Sequence, residues 1–246
     1  MITRYVTLFA ALVLAGGSAE PAGPRRPILL ELFTSEGCSS CPPADRLLET
    51  FDRTQPVSGA DLIVLSEHVD YWNRLGWTDP YSSPLFTERQ QEYVRHLHLE
   101  GAYTPQLVMD GQADFVGSDE RAIRAGILRA ETRPKAAVSV RAQHVGSEVK
   151  VSLEAGDRMR PAELYLALAN DPAQSQVTRG ENSGRTLGHV AVVRNLIRVA
   201  SLPAHGTFAK ELTLPLKNEN ARPWRAVAFL QDSGTGQILG AAEARL

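Results

Sequence analysis

The two cysteines of this 246-residue chain, Cys38 and Cys41, lie in a short turn between a predicted strand and a predicted helix. The strand is the apolar run of residues 28–33. The helix covers residues 42–51, where apolar side chains recur with helical spacing. It opens with two prolines, which have no backbone N–H and are tolerated only in the first turn of a helix. The chain must therefore leave the strand, turn through both cysteines and enter the helix within one short segment.

The first residues of the chain have the three-part layout of a secretory signal peptide. Arg4 supplies the positive charge, residues 6–15 form the apolar stretch, and a small-x-small pattern ends at Ala19. The apolar stretch is shorter than the roughly 20 residues that a membrane-spanning helix requires. We therefore predict cleavage near Ala19 and a periplasmic or secreted protein. No later segment predicts a membrane span.

A disulfide between Cys38 and Cys41 would stabilise the fold little, because the entropic gain of a cross-link grows with loop length. Thiols outside the cytoplasm tend to pair, so this spacing favours a functional redox pair. The helix dipole and the first N–H groups favour a thiolate at Cys38, the predicted nucleophile at a mouth that solvent can reach. Cys41 is predicted to resolve the mixed disulfide. The pattern is also half of a zinc site, but the sequence holds no second half.

The segments that follow predict two kinds of structure. Up to residue 134 the elements alternate as β-α-β-α-β-β-α, with the last two strands joined by the turn Asp110-Gly111. This is the order of the thioredoxin fold. After it, apolar and polar residues alternate as in strands. We predict a signal peptide (1–19), a linker (20–27), an α/β thioredoxin-like domain (28–134) and a small all-β, sandwich-like domain (135–246).

Three further residues are candidates for the redox site. Thr104 and Pro105 directly precede a short apolar strand, the place where a thioredoxin-like site has a cis proline facing the cysteines; an ordinary trans proline is the alternative. Glu31 interrupts a buried run, where desolvation would favour its protonated form. It is predicted either to exchange a proton with Cys41 or to face solvent on a half-covered strand.

A long loop with two tryptophans follows the second predicted strand. It leaves the same sheet edge as the cysteine turn, so we expect the two to be adjacent. His68 is predicted to tune the Cys38 thiolate or to share a metal with it, unless it is a packing residue. Asp70 and Trp72 are predicted to line a substrate groove. Trp77 and Tyr81 are predicted to pack as a lid on the core or on the β domain.

Two other polar segments have simpler interpretations. His96 and His98 are two apart on a helix, do not share a face and are predicted to be surface residues. Residues 180–189 form a polar turn before a strand. They are predicted to be a hairpin turn, with contact to the redox site as the alternative.

Several segments together resemble a family of secreted thioredoxin-like proteins, domain of unknown function 1223. They are residues 29–45, 68–72, 76–77, 104–106 and 180–182. The resemblance spans essentially the whole mature chain. It implies a thioredoxin-like fold with a β extension and no settled activity. Against thioredoxin itself, Ser39-Ser40 stands between the cysteines and Glu36-Gly37 replaces the usual aromatic, so a narrower substrate range is expected.

Three functions compete. The first is an exported thiol-disulfide oxidoreductase with catalytic Cys38, Cys41 and Glu31, a protein thiol or disulfide substrate, an unidentified redox partner and no cofactor. The second is a metal-handling protein that binds copper or zinc through the cysteines and His68. The third is a binding module with an inert disulfide. The formal net charge of −2 gives no indication of a nucleic-acid partner.

Overall fold

A computed structural model of the protein describes residues 25–171, 173–216 and 224–246. The predicted signal peptide, residues 1–19, and most of the predicted linker lie outside these ranges. The last linker residues, Arg26 and Pro27, already belong to the first strand. Within the described ranges, no helix combines the length and apolarity needed to cross a membrane.

The elements alternate at first and are then almost all strands. The three helices are α1 (Pro42–Thr54), α2 (Pro84–His96) and α3 (Glu120–Ala130). The strands are β1 (Arg26–Thr34), β2 (Ala60–His68), β3 (Gln106–Met109), β4 (Ala113–Val116), β5 (Val138–Val145), β6 (Glu148–Ala155), β7 (Ala162–Asn170), β8 (Ala173–Gln176), β9 (Thr186–His189), β10 (Val192–Leu202), β11 (Phe208–Pro215), β12 (Trp224–Asp232) and β13 (Ile238–Arg245).

These strands form three sheets. The largest has eight strands in the order β13-β12-β7-β10-β2-β1-β3-β4, with β1 parallel to β2 and antiparallel to β3. A three-stranded sheet has the order β11-β6-β5, and β8 pairs with β9 as a separate hairpin. The sequence predicted most of these strands and missed β8, β9 and β13.

The predicted fold class, an α/β thioredoxin-like domain followed by a small all-β domain, is wrong. The described residues are mostly β, and strands from before and after residue 135 share the eight-stranded sheet. The junction is the parallel pair of β2 and β10, where Val192 lies beside Ser66. The Ser66 N–H donates to the Ala191 carbonyl at 2.9 Å. Alternation of apolar and polar residues predicts a strand but not its partner, so local pattern could not reveal this pairing.

The large sheet supports two hydrophobic cores. Around β1 and β2, the core includes Leu30, Leu48 of α1 and Ile127 of α3, all at most 1% exposed. The second core lies between the three-stranded sheet and the β7–β12 part of the large sheet, and it includes Val151 and Leu166. The helices and the sandwich therefore pack on one continuous sheet.

A buried cluster of charges ties α1 to the last strands. Arg225 on β12 is 1% exposed, and its Nη1 donates to Asp52 on α1 at 2.9 Å and to Glu243 on β13 at 3.0 Å. Its Nη2 also donates to Asp171. These acids outweigh the effect of burial and raise the Arg225 pKa. The guanidinium stays charged and joins three segments that are distant in sequence.

We expect Arg225→Ala to lower the free energy of unfolding by about 3–5 kcal/mol, because it removes the buried cation of the cluster. The matched control is Arg245→Ala. Arg245 bonds Asp52 and Glu243 as well, but its side chain is 57% exposed, so its loss should cost about 1 kcal/mol or less. Urea denaturation, followed by far-UV circular dichroism and tryptophan fluorescence, measures both. Equal losses of unfolding free energy in the two variants would show that the buried Arg225 does not couple α1 to β12.

Candidate functional site

Cys38 and Cys41 form a disulfide in the turn between β1 and α1. Both cysteines are 0% exposed, whereas Ser39 and Ser40 between them are exposed. The turn is therefore at the surface but its sulfur atoms are covered. The expectation that solvent reaches Cys38 is wrong for this structure.

The first turn of α1 starts at Pro42, as the two prolines predicted. Neither proline carries an N–H, and the amides of Ala44 and Asp45 both donate to the Cys41 carbonyl, at 2.8 and 3.1 Å. These backbone donors are engaged within the turn and do not point at a cysteine sulfur. The polar group beside Cys38 Sγ is instead the hydroxyl of Ser40, whose Oγ is 3.3 Å away.

The loop that joins β8 and β9, residues 177–185, covers one side of the cysteine turn. We call it the tip loop. Its Asn182 is 0% exposed, and the Asn182 amide donates to the carbonyls of Glu36 and Cys38, both at 2.9 Å. Glu181 accepts a hydrogen bond from the Ser39 N–H at 3.0 Å. The predicted hairpin turn is confirmed, since the segment joins the antiparallel pair of β8 and β9, and the alternative, contact with the cysteine site, is present as well.

The other side of the turn is covered by the loop after β2. A side chain at Gly37 would place its Cβ 3.0 Å from Trp72 Cβ, a tight contact, so glycine lets Trp72 pack closely against the turn. The Trp72 indole N–H donates to Thr104 Oγ1 at 2.8 Å, and the Thr104–Pro105 bond is cis, as predicted. Trp72, Thr104 and Pro105 thus lie together beside the turn.

His189, at the end of β9, bridges the two ends of the cysteine turn. Its Nε2 lies within hydrogen-bond distance of Glu36 Oε1, at 3.3 Å. Its Nδ1 lies 3.7 Å from Asp45 Oδ1, which is close enough for an ion pair but too far for a hydrogen bond. Burial alone would lower the imidazole pKa. The two carboxylates outweigh burial and raise the pKa of His189 to about 10. His189 is therefore a buried cation at neutral pH.

His68 belongs to the same buried cluster of charges as His189, Glu36 and Asp45. Its Nδ1 is 2.7 Å from Asp79 Oδ2, and its ring meets the ring of His189 edge-on with centroids 4.6 Å apart. Burial raises the Asp79 pKa, but His68 and the amides of Glu36 and Tyr81 outweigh it, and the net shift is downward. Asp79 is thus ionised and accepts a hydrogen bond from the His68 Nδ1–H. His68 contacts this cluster rather than a cysteine.

Glu31 is fully buried, but it belongs to a different cluster. It accepts a hydrogen bond from Arg89 Nε at 2.6 Å and another from the Tyr93 hydroxyl. Arg89 and Tyr93 are on α2, whereas the neighbouring Thr34 bonds Asp45 on α1. Residues 31 and 34 of a strand face opposite sides of the sheet. Glu31 therefore does not face the side that carries α1, which begins just after Cys41.

Glu67 completes that second cluster. It is 0% exposed, lies 3.5 Å from Arg89 Nε, and neither of its carboxylate oxygens accepts a hydrogen bond from the described residues. Burial and the neighbouring Glu31 raise its pKa well above the usual range, with Arg89 opposing them. The cluster therefore stabilises the packing of α2 on the sheet.

The remaining predicted residues occupy other positions. Asp70 accepts a hydrogen bond from Thr87 on α2 at 2.6 Å, which anchors the loop and is not part of the cysteine site. His96 and His98 are exposed, as predicted. Trp77 donates to Glu36 at 2.8 Å, so it supports the buried cluster.

The described residues contain no group of three or more histidine, cysteine, aspartate or glutamate side chains arranged to bind a metal ion. The proposed copper or zinc set of Cys38, Cys41 and His68 is not assembled, because the cysteines bond each other and His68 bonds Asp79.

Sequence reasoning missed three site residues: Glu36, Asp45 and Asp79. They are single acidic residues in polar segments, with no spacing that marks them. His189 belongs to residues 180–189, for which contact with the redox site was the alternative interpretation. Only the polar stretch at residues 180–189 indicated that the second half of the chain could reach the cysteines.

The raised pKa of His189 predicts a pH dependence of stability. The charged imidazole is stabilised in the folded state. Its contribution to the free energy of unfolding is therefore complete below about pH 6.5 and is lost as the pH rises towards 10. We expect His189→Gln to cost about 3–5 kcal/mol at pH 6 and much less at pH 9. Urea denaturation at both pH values measures this. His205→Gln, at an exposed histidine 3.7 Å from Asp157, is the control and should change little. A penalty independent of pH would contradict the assignment.

Comparison with known proteins places the chain in a family. The crystal structure of protein AGR_C_4864 from Agrobacterium tumefaciens superimposes with a TM-score of 0.67 and 28% identity over 92% of this chain and 96% of that one. Two other solved structures are too distant to indicate a shared fold. OgpA from Akkermansia muciniphila has a TM-score of 0.30 and 14% identity over 47% of this chain and 29% of that one. CsgH from R. palustris has a TM-score of 0.21 and 12% identity over 45% of this chain and 90% of that one. No curated protein matches. A family model matches residues 29–231, and the chain therefore belongs to the family of proteins of unknown function DUF1223.

Proposed function

We propose that this protein is an exported thiol-disulfide oxidoreductase whose redox pair is Cys38 and Cys41. The observation that carries the proposal is the disulfide between residues three apart, at the start of α1. By loop entropy such a bond contributes only about 2 kcal/mol of stability. A cross-link that stabilises so little, in a turn held by contacts from three other segments, is better explained by its chemistry than by its mechanical effect.

The reaction is disulfide exchange with a protein dithiol. A substrate thiolate attacks Cys38 Sγ, the bond to Cys41 breaks, and Cys41 leaves as a thiolate that takes up a proton. The second substrate thiolate then attacks the mixed disulfide and releases Cys38. The substrate loses two electrons and two protons, and the protein gains two thiols. A second partner with a disulfide restores the pair by the reverse exchange.

Side chains around the turn support these steps. The Ser40 hydroxyl, 3.3 Å from Cys38 Sγ, can donate to the thiolate that forms there. His189 supplies a positive charge between the acids at either end of the turn. The group of Trp72, Thr104 and Pro105 beside the turn is where we place the substrate. Glu31 and Asp70 have no part in the reaction, because their hydrogen bonds hold other elements.

Export is part of the proposal. A disulfide between surface-turn cysteines persists in an oxidising compartment and is reduced in the cytoplasm. The signal-like layout of residues 1–19 supports a periplasmic or secreted location.

One observation favours a second function, a binding module with an inert disulfide. Both cysteines are 0% exposed in this structure, and a sulfur that no thiolate can reach does not exchange. The two functions differ in whether a cysteine can be captured by a substrate.

We expect Cys41→Ser to form a covalent adduct with a protein that contains an accessible disulfide, such as insulin, because Cys38 can attack it and no resolving thiol remains. Cys38→Ser is the matched control and should form little or none, because Cys41 is held at the N-cap of α1. Non-reducing electrophoresis and mass spectrometry of the purified variants measure the adducts. No adduct with either variant would favour the inert disulfide.

A further inference from the structure

The cysteine turn is at the surface, yet its disulfide is buried: Ser39 and Ser40 are exposed, whereas both cysteines are 0% exposed. The tip loop, residues 177–185, is more than 130 residues away in sequence and hydrogen-bonds the backbone of this turn. Trp72 packs against the same turn at Gly37.

Asn182 holds the tip loop in place. Both protons of its amide nitrogen are used, one on the Glu36 carbonyl and one on the Cys38 carbonyl, and its Oδ1 accepts from Arg185 at 3.0 Å. A fully buried amide whose nitrogen donates both of its hydrogen bonds to the turn beneath it acts as a latch. Glu181 adds one hydrogen bond, to the Ser39 N–H, and this bond lowers the Glu181 pKa.

The attachment of the tip loop allows it to move without disturbing the main sheet. Among the strands that the structure describes, β8 and β9 pair only with each other and are not part of the eight-stranded sheet. Residues 181–183 stand between Gly180 and Gly184, which have φ of +75° and +81°. Glycines tolerate these left-handed conformations and the changes in backbone angle that a hinge requires.

We propose that the tip loop is a lid over the Cys38–Cys41 disulfide, latched by Asn182, which excludes small thiols and admits a partner that displaces it. Asn182 is thus a specificity-determining residue. Its role in selecting partners rests on the oxidoreductase proposed above. Its role as a shield does not, since the shield protects the disulfide whether or not the protein is an enzyme.

The test is the rate at which dithiothreitol reduces the disulfide in the folded, full-length protein. One thiolate of the reagent attacks a cysteine sulfur, the other cysteine leaves, and the second thiol of the reagent closes its own disulfide, so that the protein gains two thiols. Timed quenching with iodoacetamide and mass spectrometry count these thiols. We expect Asn182→Ala to raise the second-order rate at least tenfold, because loss of two hydrogen bonds shifts the tip loop towards its open position.

Three variants make the result specific. Ser183→Ala is the matched control in the same loop, since the Ser183 hydroxyl bonds only within the loop, to the Thr178 carbonyl, and should leave the rate unchanged. Glu181→Ala, at an exposed residue, should raise the rate by a smaller factor and keeps the test valid if Asn182→Ala does not fold. Arg225→Ala lowers global stability without touching the tip loop and should not accelerate reduction.

The outcomes separate this inference from the proposed function. The lid is overturned if Asn182→Ala and Glu181→Ala both react at the wild-type rate, or if Arg225→Ala accelerates reduction as much as Asn182→Ala does, because reduction then proceeds through global unfolding. Faster reduction of Asn182→Ala without covalent capture by Cys41→Ser would leave the shield established and reject the oxidoreductase.

Discussion

The parallel pairing of β10 with β2 is the contact on which the rest of this structure depends. It brings the second half of the chain into the same sheet as the strand that leads to the cysteines, through the register of Val192 beside Ser66. His189 is only three residues before Val192, so this register places the imidazole next to Glu36 and Asp45. The hairpin of β8 and β9 then has to lie over the turn that carries Cys38.

Buried charges fix the elements around that sheet. His189 lies with two acids on the α1 side, and Arg89 lies with Glu31 and Glu67 on the α2 side. Arg225 joins α1 to β12 and β13. Charges in such places are tolerated only when they are paired, and removal of one partner leaves the others uncompensated. Each cluster therefore specifies which segments pack together, and the cysteine turn is held by one of them.

The chemistry proposed for the cysteines depends on the same contacts around the cysteine turn. A Cys-x-x-Cys turn at the start of a helix is a reactive arrangement when the sulfur is accessible. Here the sulfur is buried, the tip loop bonds the turn that carries it, and the two prolines leave the first turn of α1 without free backbone donors. We therefore propose that reactivity is governed by the movement of Asn182 and by side chains such as Ser40. In this proposal, the dipole and backbone donors at the start of α1 contribute less to the reactivity of Cys38 than the position of the cysteine predicted.

Local pattern was enough to predict much of the secondary structure. Residues close together in the chain predict the start of α1 at Pro42, the hairpin of β3 and β4 and the cis bond before Pro105. It did not predict the fold class, because a strand pattern carries no information on which strand it pairs with. The tertiary structure alone decided that β10 joins β2, that Glu31 faces α2, and that Asn182 and His189 complete the cysteine site. Each of these is a contact between residues at least 58 positions apart, which only the packed chain brings together.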